Sequence, residues 1–152
     1  MNNNTYFQYC QKLVVFNKDY SKVLLAKRKG EADYDGVYSF IGGKMETTDT
    51  DLRAGIKREV TEEIGTDVQI EVLLDFSFNE FYRKKSGDSM VLPHHIARYL
   101  DGEIKLSDEY SDFAWVNVDD IDKFEPKIDT VASIVKKCKK VIGYFEDKFT
   151  EL

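Results

Sequence analysis

Apolar positions recur at two different periods along this chain of 152 residues, and turn residues fall where the period changes. Short runs rich in branched and aromatic residues predict strands from Gln11 to Phe16 and from Lys22 to Lys27, around a turn at Asn17-Lys18-Asp19. A third short strand, Tyr38 to Ile41, leads into Gly42-Gly43. Strand-like segments continue from Val68 to Phe78, Val91 to Leu100 and Phe113 to Val118, with a polar hairpin loop, Arg83 to Asp88, between the first two. The period lengthens from Asp51 to Ile64, where Leu52, Ile56, Val60 and Ile64 recur every four residues and give a helix one apolar stripe. Thr50 is the expected N-cap and Gly65 the expected C′ residue. Val118 to Phe124 suits one or two helical turns. A last helix runs from about Asp129 to about Phe149, its apolar face made by Val131, Ile134, Val135, Cys138, Val141, Ile142, Phe145 and Phe149.

Strands interrupted by one central and one terminal helix predict an α/β fold, a mixed sheet with helices on both faces. The length suits a single domain, residues 1–152, large enough to bury most of its apolar surface without staples. Hydrophobic residues at 42% and charged ones at 33% fit a globular chain rather than a disordered one. No apolar run approaches the roughly 20 residues needed to span a bilayer, so no membrane partner is expected. The start, MNNNTYFQYC, lacks the basic-then-apolar pattern of a leader. A cytoplasmic location follows as the expectation, with Cys10 and Cys138 as reduced thiols in or near the core. The net charge of −6 argues against nonspecific nucleic-acid binding, which needs a basic face. The basic run Lys136 to Lys140, broken by Cys138, reads as a solvated helix face.

The chemistry concentrates in Gly42-Gly43-Lys44-Met45-Glu46 and in Arg58-Glu59-Val60-Thr61-Glu62-Glu63-Ile64-Gly65. On a helix, Glu59, Glu62 and Glu63 fall within an arc of about 100°. Their carboxylates share one side and repel one another. A hard divalent cation reverses the sign of that interaction, and oxygen-only ligands suit Mg²⁺ or Mn²⁺.

At these residues the sequence resembles the Nudix hydrolases, on a box running from Gly43 to Thr66. REVTEEIG, Arg58 to Gly65, matches the second half of the family pattern at every specified position. The first half departs from it. Counted forward from Gly43 the box glutamate falls on Asp49, and counted back from Arg58 it falls on Thr50, so the loop holds one extra residue. Thr66 replaces the closing aliphatic residue, and Ile41 stands where a proline often precedes the glycines. The glycine-turn half resembles the MutT-like branch.

The resemblance implies an α/β/α sandwich and Mg²⁺-dependent attack of water on a pyrophosphate bridge. It assigns the metals to Glu59, Glu62 and Glu63, with the backbone carbonyl of Gly42 as a further ligand. It gives Arg58 the task of orienting the acids, and leaves Glu59 as ligand or general base. Glu109, in the loop before the last strand, is a further ligand or base, ahead of Asp108 and Asp112. Arg28 or Lys27 and also Lys44 would meet substrate phosphates, and Glu46 could reach the metal. Phe40, Phe81 and Tyr82 are candidates for base stacking, whereas Trp115 reads as core. His94 and His95 are adjacent on a strand and so point to opposite faces, which prevents them from easily sharing an ion. The favoured substrate is a (deoxy)nucleoside triphosphate, cleaved to monophosphate and pyrophosphate. The alternatives are a dinucleoside polyphosphate, ADP-ribose or nucleotide-sugar hydrolase, or a non-catalytic nucleotide sensor. Homodimers are common in the family, and no stretch here marks an interface.

Overall fold

Nine strands and two helices organise the chain in the computed structural model, which describes residues 6–152. Residues 1–5, the first half of MNNNTYFQYC, lie outside the described residues. The strands are β1 (Phe7–Phe16), β2 (Lys22–Arg28), β3 (Tyr38–Ser39), β4 (Ile41–Lys44), β5 (Gln69–Val72), β6 (Phe78–Arg83), β7 (Ser89–Asp101), β8 (Tyr110–Asn117) and β9 (Thr150–Glu151). The helices are α1 (Leu52–Ile64) and α2 (Val131–Val141).

All nine strands join one mixed sheet, and β1 with β7 is its parallel strand pair. Two neighbours share each side of that pair. β4 runs along Cys10 to Leu13 of β1, and β2 joins it at Phe16. β6 runs along Ser89 to His94 of β7, and β5 takes over from Ala97. The sheet therefore forks on both flanks of its central pair.

Both faces are covered, which is why the central strands read as continuous apolar runs. Alternate residues go to opposite sides. Leu13, Val15, Leu24 and Ala26 pack with Ile56, Val60 and Ile64 of α1. Val14, Phe16, Val23 and Leu25 pack with Val131, Ile134, Val135 and Cys138 of α2. This is the α/β/α sandwich expected above. Trp115 packs into the first layer with its ring 5.5 Å from that of Tyr99. Cys10 and Cys138 are free and buried.

Four expectations need correction. The N-cap of α1 is Asp51, whose carboxylate accepts the Ala54 N–H at 2.8 Å, and not Thr50. Leu52 is 47% exposed, because the first turn of α1 projects past the core that holds Ile56, Val60 and Ile64. The predicted strand Val68 to Phe78 is two strands, since the chain must leave β7 after β5 and rejoin it as β6. His95 holds that break, its Nδ1 lying 3.1 Å from the carbonyl oxygens of both Leu73 and Phe76. The last helix stops at Val141 and continues as 3-10 turns at Ile142–Tyr144 and Glu146–Lys148. The bend lets Phe145 pack on Phe76 and brings β9 onto β5.

On the α2 side the sheet face continues past the helix toward the N-terminal halves of β1 and β7. There Cys10, Lys12, Met90, Leu92 and His94 line a cleft of about 710 Å³. The loop 29–37, the β6–β7 hairpin, β4 and the acidic side of α1 complete its walls.

Candidate active site

Helix α1 buries one carboxylate among its apolar anchors. Gly55, Ile56, Val60, Glu63 and Ile64 are its buried residues. Gly55 is explained by packing, for a Cβ there would stand 2.3 Å from the Met45 sulfur. Glu63 accepts the Gly42 N–H at 2.6 Å and hydrogen-bonds the buried Tyr110 phenol. Burial pushes its pKa up to about 7, against the opposing pull of the Lys12 ammonium and the Gly42 N–H. Burial also raises Glu59, whose carboxylate receives Arg58 at 2.8 Å. Glu62, one position from Glu63, is more than half exposed.

Glu59 and Glu63 approach the same turn. Glu63 holds the Gly42 N–H, and the Glu59 carboxylate lies where a Gly43 Cβ would be, 2.2 Å away. The two glycines consequently make different demands. At Gly42, with φ 126°, a Cβ would sit 2.1 Å from the Gln11 backbone oxygen, which cannot yield. Gly42→Ala should therefore cost at least about 3 kcal/mol of stability. At Gly43 the obstacle is a mobile carboxylate. Gly43→Ala should cut turnover about tenfold or more by misplacing Glu59, and leave the melting temperature within about 3 °C. Thermal melts and initial rates of the two variants check the contrast, and equal losses of stability would refute it.

Arg58 lies behind the acids rather than in the cleft lining. Its Nε and Nη2 reach the two oxygens of Asp49 at 2.9 Å each, and Nη2 also donates to the Lys44 carbonyl at 2.9 Å. Nη1 serves Glu59 at 2.8 Å and Glu62 at 3.3 Å. The guanidinium holds Asp49 down to about 2. The box loop closes in a tight turn, in which Asp49 N–H donates to Glu46 O and Glu46 N–H donates to Asp49 Oδ2. Asp49 thus faces the arginine.

The remaining expected residues mostly line the same cleft. Arg28 is half-buried and pairs with Glu31 at 3.4 Å, with its Nε unpartnered. Glu109 lies exposed at the rim. Phe40 is buried with its ring edge-on to His94, so it forms floor rather than a freestanding platform. Tyr82 donates to Asp33 at 2.7 Å, and its ring lies 5.8 Å from that of Tyr34. Lys44 adjoins Lys84, and contact with that side chain together with burial holds its pKa below the ordinary lysine value. His94 reaches the cleft and its neighbour His95 the opposite side; burial lowers the pKa of both, that of His94 to about 4.

Sequence reasoning missed Lys12, Asp33, Lys84 and Tyr110. Lys12 had a signal, a lone charge entering the apolar run Leu13-Val14-Val15-Phe16. Its Nζ donates to the Gly42 carbonyl at 3.0 Å. The others had none, because their contacts join distant segments, as Tyr82 with Asp33.

Among the described residues, no three carboxylate, histidine or cysteine groups are gathered as a formed cation site. The donor chemistry nevertheless fits a hard divalent ion. Two shielded carboxylates, both with raised proton affinity, approach one glycine turn, and a third lies on the next position of the helix.

The NUDIX domain profile matches residues 11–137, so the chain belongs to the Nudix family and is by class a pyrophosphohydrolase. No curated protein sequence matches it significantly. The fold is similar to that of a MutT protein from Methanosarcina mazei Go1, with TM-score 0.72 and 19% identity over 90% of this chain and 96% of that one. It is equally similar to a C. elegans Ap4A hydrolase, at TM-score 0.72 and 20% identity over 91% and 99%. The NUDIX domain of Shewanella oneidensis NrtR, solved with ADP ribose, gives 0.69 and 20% over 91% and 90%. At such identities the likeness establishes the fold. No helix among the described residues is long and apolar enough to cross a membrane.

Proposed function

We propose that the cleft hydrolyses a (deoxy)nucleoside triphosphate to the monophosphate and pyrophosphate, with Mg²⁺ as cofactor and Mn²⁺ able to substitute. The observation that carries this is the meeting of Glu59 and Glu63 at the Gly42-Gly43 turn, beside a wall that presents Lys44 and Lys84. Glu59, Glu62, Glu63 and the Gly42 carbonyl would hold the metal. Bound there, it would neutralise phosphoryl charge and lower the pKa of water. Arg58 fixes Glu59 and Glu62 from behind. Glu109 at the rim serves as a further ligand or base. Arg28 and Lys44 offer charge to the phosphates. Tyr82 with Tyr34 offers an aromatic wall to the base, above the floor made by Phe40.

A second reading, a substrate bridged between two groups, draws on the cleft volume of about 710 Å³, large enough for more than one nucleoside moiety. Residues 1–152 are taken as one domain acting in the cytoplasm, and light scattering on the purified protein tests for a homodimer.

A substrate panel with Mg²⁺ decides between the readings. It should contain nucleoside triphosphates, dinucleoside polyphosphates, ADP-ribose and nucleotide sugars, with products separated by chromatography. Monophosphate plus pyrophosphate from a triphosphate is the expected result. Turnover of bridged substrates alone would overturn the substrate choice. Melting shifts without product would favour a nucleotide sensor.

A further inference from the structure

Two ammonium groups meet on one wall of the cleft. Lys44 ends β4, Lys84 begins the turn after β6, and the two side chains are neighbours in the cleft lining. Among the described residues neither forms an ion pair with a carboxylate. Such a pair is repulsive until an anion joins it.

The backbones behind both lysines are held in place. The Lys44 carbonyl accepts Arg58 Nη2 at 2.9 Å. Lys84 N–H donates to the Asp88 carbonyl, and the Lys84 carbonyl accepts the Gly87 N–H, each at 2.9 Å. Asp33 ties the hairpin to the loop 29–37 by accepting Tyr82 Oη and Lys85 N–H, at 2.7 and 3.3 Å. The wall is therefore built from three segments before any ligand arrives.

We propose that Lys44 and Lys84 together seat a terminal phosphate of the substrate, and so select free-ended polyphosphates over bridged ones. This rests on the reading of the cleft as a nucleotide pyrophosphohydrolase. A terminal phosphate carries roughly −1.5 to −2 charge at pH 7. A phosphate esterified on both sides carries a single negative charge. Two adjacent ammonium groups match the former better. Lys44 also follows directly on Gly43, against which Glu59 packs, so the seated phosphate lies beside the acidic cluster.

The test uses Lys84→Gln, Lys84→Arg and, as a control for net charge, Lys123→Gln on an exposed turn away from the cleft lining. Inorganic pyrophosphate binding is measured by calorimetry with chelator present, and KM and kcat are measured for a nucleoside triphosphate and a dinucleoside tetraphosphate. Lys84→Gln should weaken pyrophosphate about tenfold and raise KM for the triphosphate by a similar factor. The loss on the dinucleoside tetraphosphate should be several times smaller. Lys84→Arg should restore most of the affinity, and Lys123→Gln should change nothing. Equal losses on both substrates would overturn the proposal, as would pyrophosphate binding that is absent in the wild type or indifferent to Lys84. If triphosphates are not turned over but pyrophosphate affinity still depends on Lys84, the substrate reading fails while the anion seat stands.

Discussion

Glu63→Gln is expected to abolish turnover and yet to raise the melting temperature of the metal-free protein at pH 8. The buried carboxylate is held at about 7, above the ordinary glutamate value. The native state therefore binds this proton more tightly than the unfolded chain does. Its stabilising contribution is complete below about pH 4.5 and is lost as the pH rises through about 7, a cost of about 3 kcal/mol once the group is ionised. Glutamine keeps an oxygen for the Gly42 N–H and offers an amide to Tyr110, without the charge. A gain of roughly 5 °C at pH 8, vanishing toward pH 4.5, is expected in melts with chelator present. The same substitution removes a hard anionic oxygen from the proposed metal site, so kcat should fall about a thousandfold or more. Residual activity near wild type would remove Glu63 from the chemistry. A variant less stable than the parent at pH 8 would show that its charge is better compensated than the burial implies.

Arg58→Lys should be nearly as damaging as Arg58→Ala. The guanidinium contacts both oxygens of Asp49, the carboxylates of Glu59 and Glu62, and the Lys44 carbonyl. An ammonium cannot reproduce that planar fork. Either change frees the loop 45–50 from α1 and lets Glu59 and Glu62 repel each other. A fall of about a hundredfold in kcat and of roughly 5 °C in melting temperature is expected. Asp49→Ala combined with Arg58→Ala should lose much less stability than the sum of the single changes, since both sever one interaction. Additive losses, or a lysine variant with full activity, would assign the loop's position to other contacts.

The departure of the box loop from the family pattern shows where reading along the chain stops being enough. An extra residue and a missing glutamate leave two positions for the loop acid, Asp49 and Thr50. Distance along the chain cannot choose between them. The turn closed by Glu46 and Asp49 does, by pointing the aspartate at Arg58. Likewise the apolar pattern of the last helix continues through Phe145 and Phe149, which pack on the same core as α2 after the helix has ended. Periodicity reports burial there, and burial does not require helix.

Local physical chemistry is legible wherever neighbours in sequence remain neighbours in space. The strand runs, the acidic side of α1, the glycine turn and the sandwich of helices around a mixed sheet all follow from side-chain period, charge and length. Tertiary structure alone decided the rest. It split Val68 to Phe78 into two strands around His95, brought Lys12 and Tyr110 to Glu63, hung Tyr82 on Asp33 and set Lys84 against Lys44. Those contacts join segments up to tens of residues apart, and their energy depends on the forked sheet that places them, which no local pattern encodes.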